Sequence, residues 1–255
     1  MEIHQFIFVR LMGGLGNQLF QYAAGLLQSK VTHGKLYLEA PVENPHDTHD
    51  YRNNLFTLSE KYDSELPYHA THSHSHYQED GFAFWNPNDY NYPILRLYGY
   101  FQNYTSLKPI LPEFKQHILE NLKYKLPYNV LVNSGFIHVR RGDYLKNSIE
   151  LKNMNYYTEA LALNTHIHTW YIFSDDITWC KNSKLFDAIR IIYVEETDPV
   201  VCLALMSKMN SAIIANSTFS WMGAYLGCGT RNVVYPKAWI GTGTPDLFPE
   251  EWIGL

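Results

Sequence analysis

From Phe136 onward the chain alternates short apolar runs with helical segments, and this alternation limits its fold more than any other feature. Runs at Phe136–Val139, Tyr171–Phe173, Ile191–Val194, Ala212–Ala215 and Val233–Tyr235 are predominantly apolar and of strand length, as strands buried on both faces must be. Between them, Asp198-Pro199 pairs an N-cap residue with proline at the first helical position. A second segment opens near Ser217-Thr218 and stops at Gly227. Five strands separated by helices predict a doubly wound parallel sheet.

The residues after each strand point to a ligand. Arg140-Arg141 ends the first run, Ser174-Asp175-Asp176 the second, Glu195-Glu196 the third and Asn216-Ser217-Thr218 the fourth. The strand ends of a parallel sheet share one edge, where open α/β sheets bind ligands, so the four clusters should converge. Contact with solvent would also make strand ends polar, but cation, acid and small hydroxyl together are the set a nucleoside diphosphate requires. In FIHVRRGDY, Phe136 to Tyr144, adjacent residues point to opposite faces. The two arginines therefore cannot pack alike, and one is expected at the mouth. A planar guanidinium there grips a diphosphate through two parallel hydrogen bonds.

The N-terminal part opens in the same style. A strand over Phe6–Met12, a tight turn Gly13-Gly14-Leu15-Gly16, a helix from Asn17 to Val31 and a strand Lys35–Leu38 make a second βαβ start. Two Rossmann-like halves follow, residues 1–130 and 131–255, with the boundary near Tyr124–Asn133. The GGLGNQ turn presents backbone N–H groups to an anion or polar ligand. Asn17 either serves that ligand or merely satisfies the helix start. Gly14-x-Gly16 with Glu39 half-fits a dinucleotide fingerprint, but Leu19 fills the third glycine position. Residues from Pro41 to Tyr92 show little periodicity and read as an irregular functional loop. Aromatics gather at and just beyond its end (Phe82, Phe84, Trp85, Tyr90, Tyr92, Tyr98, Tyr100, Phe101), suited to a core or to the apolar face of a sugar.

Composition narrows the classes. With 255 residues, 46% hydrophobic and 18% charged, the chain is long enough for real cores and too apolar for disorder. A net charge of −5 argues against a nucleic-acid surface, so a few local cations must hold any anionic ligand. Three cysteines, an odd number on apolar segments, suit a reducing compartment. The first apolar run lacks a preceding basic region and a cleavage site, and no run reaches the roughly 18–20 residues that span a bilayer. The expectation is a cytoplasmic chain without an anchor of its own, a peripheral membrane contact being left open. Oligomeric state is not legible.

Other motifs are weaker. His69, His72, His74 and His76 hold enough imidazole for zinc, but without a nearby cysteine a solvated loop is the better reading. Asp175 and Asp176 are adjacent, whereas an acid-x-acid spacing sets two carboxylates on one ion, and arginines are already at hand. No metal is therefore expected. Asn103-Tyr104-Thr105 and Asn216-Ser217-Thr218 match the glycosylation sequon, and the second falls on the expected binding edge, where a glycan would block it. No P-loop, G-x-S-x-G elbow or H-E-x-x-H occurs.

The series GGLGNQLFQYA, LYGYFQ, HVRRGDY, FSDDITWC, NSTFSWMGAYL and VVYPKAWIG resembles the α-1,2-fucosyltransferase family, glycosyltransferase family 11, from about Val9 to Trp239. The resemblance implies a GT-B fold of two Rossmann-like domains facing across a cleft. It also implies a GDP-β-L-fucose donor, inversion to α-linked fucose, a galactose-containing glycan acceptor attacked at its 2-OH, and no metal or other cofactor. Position by position, His138 and Arg140 would contact the nucleotide, with Arg140 on the diphosphate, and Asp175 or Asp176 would face the guanosine. Ser217, Thr218 and Ser220 would border the phosphates beside Asn216, while Gly14, Gly16 and Asn17 would line the cleft from the opposite domain. Met222 departs from the family, standing where a second aromatic often follows the first.

Negative charge grows on the departing diphosphate, which Arg140 and the helix start at Ser217–Ser220 can stabilise. Asp143 is the candidate base for the acceptor hydroxyl, with Glu150 behind it. The alternative is that Asp143 only orients Arg141 or caps the following turn. Two other classes stay open at this level, a non-catalytic sugar-nucleotide or glycan-binding module and a dinucleotide-dependent oxidoreductase using Gly14, Gly16 and Glu39.

Overall fold

The computed structural model describes residues 5–40, 50–62, 75–78, 82–123, 129–147, 151, 153–186, 190–228, 232–239 and 246–255. The chain divides into two compact units, Met1–Asn121 with Pro245–Leu247, and Leu122–Thr244 with Phe248–Leu255.

The first unit begins with β1 (Phe6–Arg10), α1 (Leu15–Thr32) and β2 (Lys35–Glu39). β3 (Glu60–Tyr62), β4 (Ser75–Gln78) and β5 (Ile94–Tyr98) complete a parallel sheet of order β3-β2-β1-β5-β4 among the described residues. Leu36 and Leu38 of β2 and Leu95 and Leu97 of β5 are buried in the period-2 pattern of a sheet face, while Ile7, Phe8 and Val9 bury both faces of central β1. Leu19, Phe20, Ala23, Ala24 and Leu27 of α1 are buried. Short α2 (Tyr104–Leu107) and α3 (Leu111–Leu122) follow. β3 and β4 emerge from the stretch that the sequence leaves irregular. Strands of three and four residues offer too few positions for a period of two to show, and both sit at the edges of the sheet.

The second unit contains β6 (Ser134–Val139), α4 (Gly142–Asn147), α5 (Asn155–Leu163), β7 (Thr169–Ser174), α6 (Ile177–Asn182) and β8 (Arg190–Tyr193). α7 (Pro199–Met206), β9 (Ser211–Ile213), α8 (Thr218–Gly227), β10 (Val233–Tyr235) and β11 (Ile253–Gly254) follow. The sheet is parallel throughout, in the order β11-β10-β9-β6-β7-β8. All five expected strands are present. β11, at two residues, carries no readable pattern. Every residue of β6 is buried, and Ile137, Val139, Trp170, Ile172, Ile213 and Val234 share one core with Tyr156, Tyr157 and Ala160 of α5. As the sequence predicts, Asp198 caps α7, accepting from the Val200 N–H, with Pro199 at the first helical position.

Candidate active site

In the second sheet the chain runs outward from β6 to β7 and β8, then returns to lay β9 on the other side of β6. The crevice beyond the carboxyl ends of β6 and β9 is therefore the topological switch point, where open α/β sheets take their ligands. Arg140 follows β6 and Asn216 follows β9.

Arg140 and Arg141 go to different partners. The Arg140 guanidinium pairs with Asp143 at 2.6 Å and with Asp175 at 3.0 Å, and lies 5.2 Å from the Tyr144 ring centroid. It is still 29% exposed, so a ligand can reach it. Arg141 turns to α6, with Nε 3.3 Å from Asp176 and its guanidinium 3.9 Å over the Trp179 ring. The Arg141 N–H also donates to Asp175 at 2.9 Å. The loop comes this close because Gly142 lacks a side chain, since a Cβ there would stand 2.6 Å from Asp175 Oδ2. Asp143 thus pairs with Arg140 and not with Arg141. Asp176 also caps α6 by accepting from the Trp179 N–H. Both adjacent acids are engaged in holding the arginines. Glu150 lies outside the described residues.

His138 is buried in β6 beside Arg140, and its Nδ1 finds no hydrogen-bond partner in the structure. Burial, reinforced by the neighbouring guanidinium, pulls the imidazole down to about 3, so it is neutral at pH 7. The Tyr157 hydroxyl holds the His138 carbonyl at 3.1 Å, and the Tyr156 hydroxyl reaches Ile214 and Val234 carbonyls at 2.7 and 2.9 Å. Two adjacent tyrosines of α5 therefore fix three strand ends.

This burial has a consequence for stability. Between pH 6.5 and 3 the unfolded chain binds a proton at His138 that the native chain does not, so stability rises with pH and is lost on acidification. From pH 7 to pH 5 the loss from this group is about 2 kcal/mol. Denaturant titrations of wild type and His138→Asn at both pH values should show the variant losing less by about that amount. His117, also lowered by burial, is common to both proteins and cancels. Equal losses would mean that His138 does not stay neutral.

At the end of β9, Asn216 and Ser217 are buried and Ser217 occupies the N-cap of α8 without a side-chain capping bond. The Tyr144 hydroxyl donates to the Asn216 carbonyl at 3.1 Å, across the switch point. Thr218, the first residue of α8, is half-buried. Ser220 differs from the expectation: it is fully buried and donates its hydroxyl to the Ser217 carbonyl at 3.1 Å, so it shapes the turn. Met222 is fully buried in the helix.

The first sheet has its own switch point between β1 and β5. Gly13 turns the chain with φ +73°, a conformation suited to glycine, and a Cβ there would meet Asn17 Nδ2 at 2.4 Å. Gly14 is the N-cap of α1, so the helix starts at Leu15 and both Gly16 and Asn17 lie inside it. Asn17 does not cap. Its Oδ1 accepts from Gln102 Nε2 at 3.0 Å, joining the turn after β1 to the segment after β5. Gln21 makes a second link, accepting from the Met12 N–H and donating to the Gly99 carbonyl at 3.0 Å each.

The remaining motifs sort plainly. Glu39 pairs with Arg96 at 2.7 Å and Leu19 is fully buried, which leaves a dinucleotide ribose without its acid. Of the aromatics, Trp85 and Phe101 pack edge to face in the core, whereas Phe84, Tyr92, Tyr98 and Tyr100 are exposed. Asn103 is buried and caps α2, accepting from the Ser106 N–H at 2.8 Å. His69, His72 and His74 lie outside the described residues. Among the described residues no three His, Cys, Asp or Glu side chains are grouped to hold a metal, and no helix is long and apolar enough to cross a membrane.

Comparison with known proteins gives this geometry its setting. An Escherichia coli alpha-1,2-colitosyltransferase is 29% identical over 98% of either chain, and the E. coli O-antigen biosynthesis glycosyltransferase WbnK is 30% identical over 96% of this chain and 99% of its own. The galactoside alpha-(1,2)-fucosyltransferase 1 of Alouatta belzebul is 24% identical over 95% of this chain and 73% of its own. Among solved structures, POFUT1 in complex with GDP superposes with a TM-score of 0.57 at 13% identity, covering 92% of this chain and 99% of that one. Its complex with GDP-fucose gives 0.55 at 12% identity, covering 100% and 99%. These likenesses show the fold, which is of GT-B type. The model of glycosyl transferase family 11 matches residues 2–255, and with two parallel sheets whose switch points gather the motif residues, the chain belongs to that fucosyltransferase family.

Proposed function

We propose that this chain is an inverting fucosyltransferase that moves L-fucose from GDP-β-L-fucose to the 2-OH of a terminal galactoside without a metal. The observation that carries the reading is Arg140. It is a part-exposed guanidinium at the β6–β9 switch point, held in place by two carboxylates and linked through Tyr144 to the segment that leads into α8. Diphosphate charge grows as the fucose–phosphate bond breaks, and this guanidinium with the first N–H groups of α8 can take it up, so no cation is required. His138, whose ring lies 5.9 Å from that of Phe219 in α8, would turn its neutral Nδ1, which has no partner in the structure, to the nucleotide. In this reading Asp175 and Asp176 hold the arginines first, and either could turn one oxygen to the guanosine. Asn17, held by Gln102 at the switch point of the first sheet, is the residue this reading offers from the N-terminal unit. The names of the relatives support transfer to a 2-hydroxyl, and the galactoside fucosyltransferase supports a galactose acceptor.

GDP should raise the melting temperature while UDP and NAD do not, since this reading has an acid, Asp175 or Asp176, select the guanine base. At a hundredfold excess over its dissociation constant a ligand adds roughly 2.7 kcal/mol. Equal shifts with all three would remove the nucleotide assignment. The relative named as a colitosyltransferase favours a second reading, in which colitose replaces fucose on the donor. Parallel transfer assays with the two donors separate them.

A further inference from the structure

The proposed donor site draws on two strands, with Arg140 after β6 and the N-terminus of α8 after β9, and the inference below rests on that reading. We propose that Tyr144 is the positioning residue that fixes the separation of these two halves. Its side chain leaves α4 and crosses the switch point, where the hydroxyl donates to the Asn216 carbonyl at 3.1 Å. Asn216 immediately precedes Ser217, the N-cap of α8, so this bond holds the chain one residue before the helix. Its ring lies under Arg140, 5.2 Å from the guanidinium carbon. One side chain therefore links the cation to the residue that leads into the helix start, the two elements that must close on the same diphosphate.

Two further observations give Tyr144 this task. Ser217 does not cap α8 with its own hydroxyl, and Tyr144 and Ser220 both bond backbone carbonyls of the turn before the helix. Burial also pushes the Tyr144 phenol up to about 12, so it remains a donor throughout the neutral range. Groups that stabilise developing charge work only when set to within about 0.5 Å of their mark, so a tie across the crevice acts on the phosphates and not on the base.

The test is the affinity of GDP and of guanosine for wild type and Tyr144→Phe, with melting temperatures. Phenylalanine keeps the ring beneath Arg140 and removes the tie. GDP should weaken about tenfold, the effect of one hydrogen bond, while guanosine, which lacks phosphates, changes less than about twofold. Placing 4-aminophenylalanine at position 144 restores a donor and should restore GDP binding. If Tyr144→Phe does not fold, 4-aminophenylalanine against 4-methylphenylalanine makes the same comparison at matched size. Unchanged GDP affinity without the donor, or equal weakening of GDP and guanosine, overturns the inference. Arg140→Lys, measured in parallel, keeps the two levels apart. If it weakens GDP and Tyr144→Phe does not, only the role of Tyr144 fails; if it leaves GDP binding intact, the donor-site reading itself fails.

Discussion

Replacing Arg140 with lysine is expected to lower turnover by about 10²–10³, nearly as far as replacing it with alanine. Lysine keeps the charge but not the planar fork, so it cannot give a diphosphate two parallel hydrogen bonds. It also cannot span Asp143 and Asp175, which the guanidinium contacts at 2.6 and 3.0 Å. Arg141 is the internal control. Its guanidinium lies on Trp179 and pairs with Asp176, so Arg141→Lys should lower the melting temperature by a few degrees, at about 2–4 °C per kcal/mol. GDP affinity should then stay within about twofold. Turnover, GDP affinity and melting temperature for both variants decide the matter. If Arg141→Lys abolishes GDP binding while Arg140→Lys spares it, the donor-site assignments shift by one residue.

Asp143→Asn should cut turnover by about 10²–10⁴ while leaving GDP affinity nearly unchanged. Asparagine has the size of aspartate, and its carbonyl can still accept from Arg140, so the clamp largely persists. What disappears is the carboxylate that would take the proton of the acceptor hydroxyl. Steady-state rates with saturating donor, set beside GDP affinity, separate the roles. If affinity falls and turnover at saturation survives, Asp143 only positions Arg140 and the base lies elsewhere.

Much of the fold is legible because buried parallel strands leave strong marks. The run Phe136–Val139 is apolar enough to be placed within two residues of β6, and Asp198-Pro199 fixes the start of α7. The convergence of Arg140, Asp175 and Asn216 is legible for a topological reason, since parallel strands end on one edge. Pairing between side chains is not legible. Asp143 chooses Arg140 because of how the chain turns through Gly142 into α4, and no periodicity encodes that. The Tyr144–Asn216 bond spans 72 positions and the Gln102–Asn17 bond 85, so each is visible only once the strand order is known. Asn17 looked able to cap its helix because the sequence could not show that α1 begins two residues earlier, at Leu15.

The proposed reaction is transfer of fucose from GDP-β-L-fucose to a galactoside. The most direct measurement incubates the protein with GDP-β-L-fucose and a terminal β-galactoside, with and without EDTA, and reads the product by NMR. A single new glycoside is expected, fucose α-linked to the galactose 2-oxygen, formed at the same rate in EDTA. Donor hydrolysed without transfer, a β-linked product, or a reaction that stops in EDTA and resumes with manganese or magnesium would contradict it.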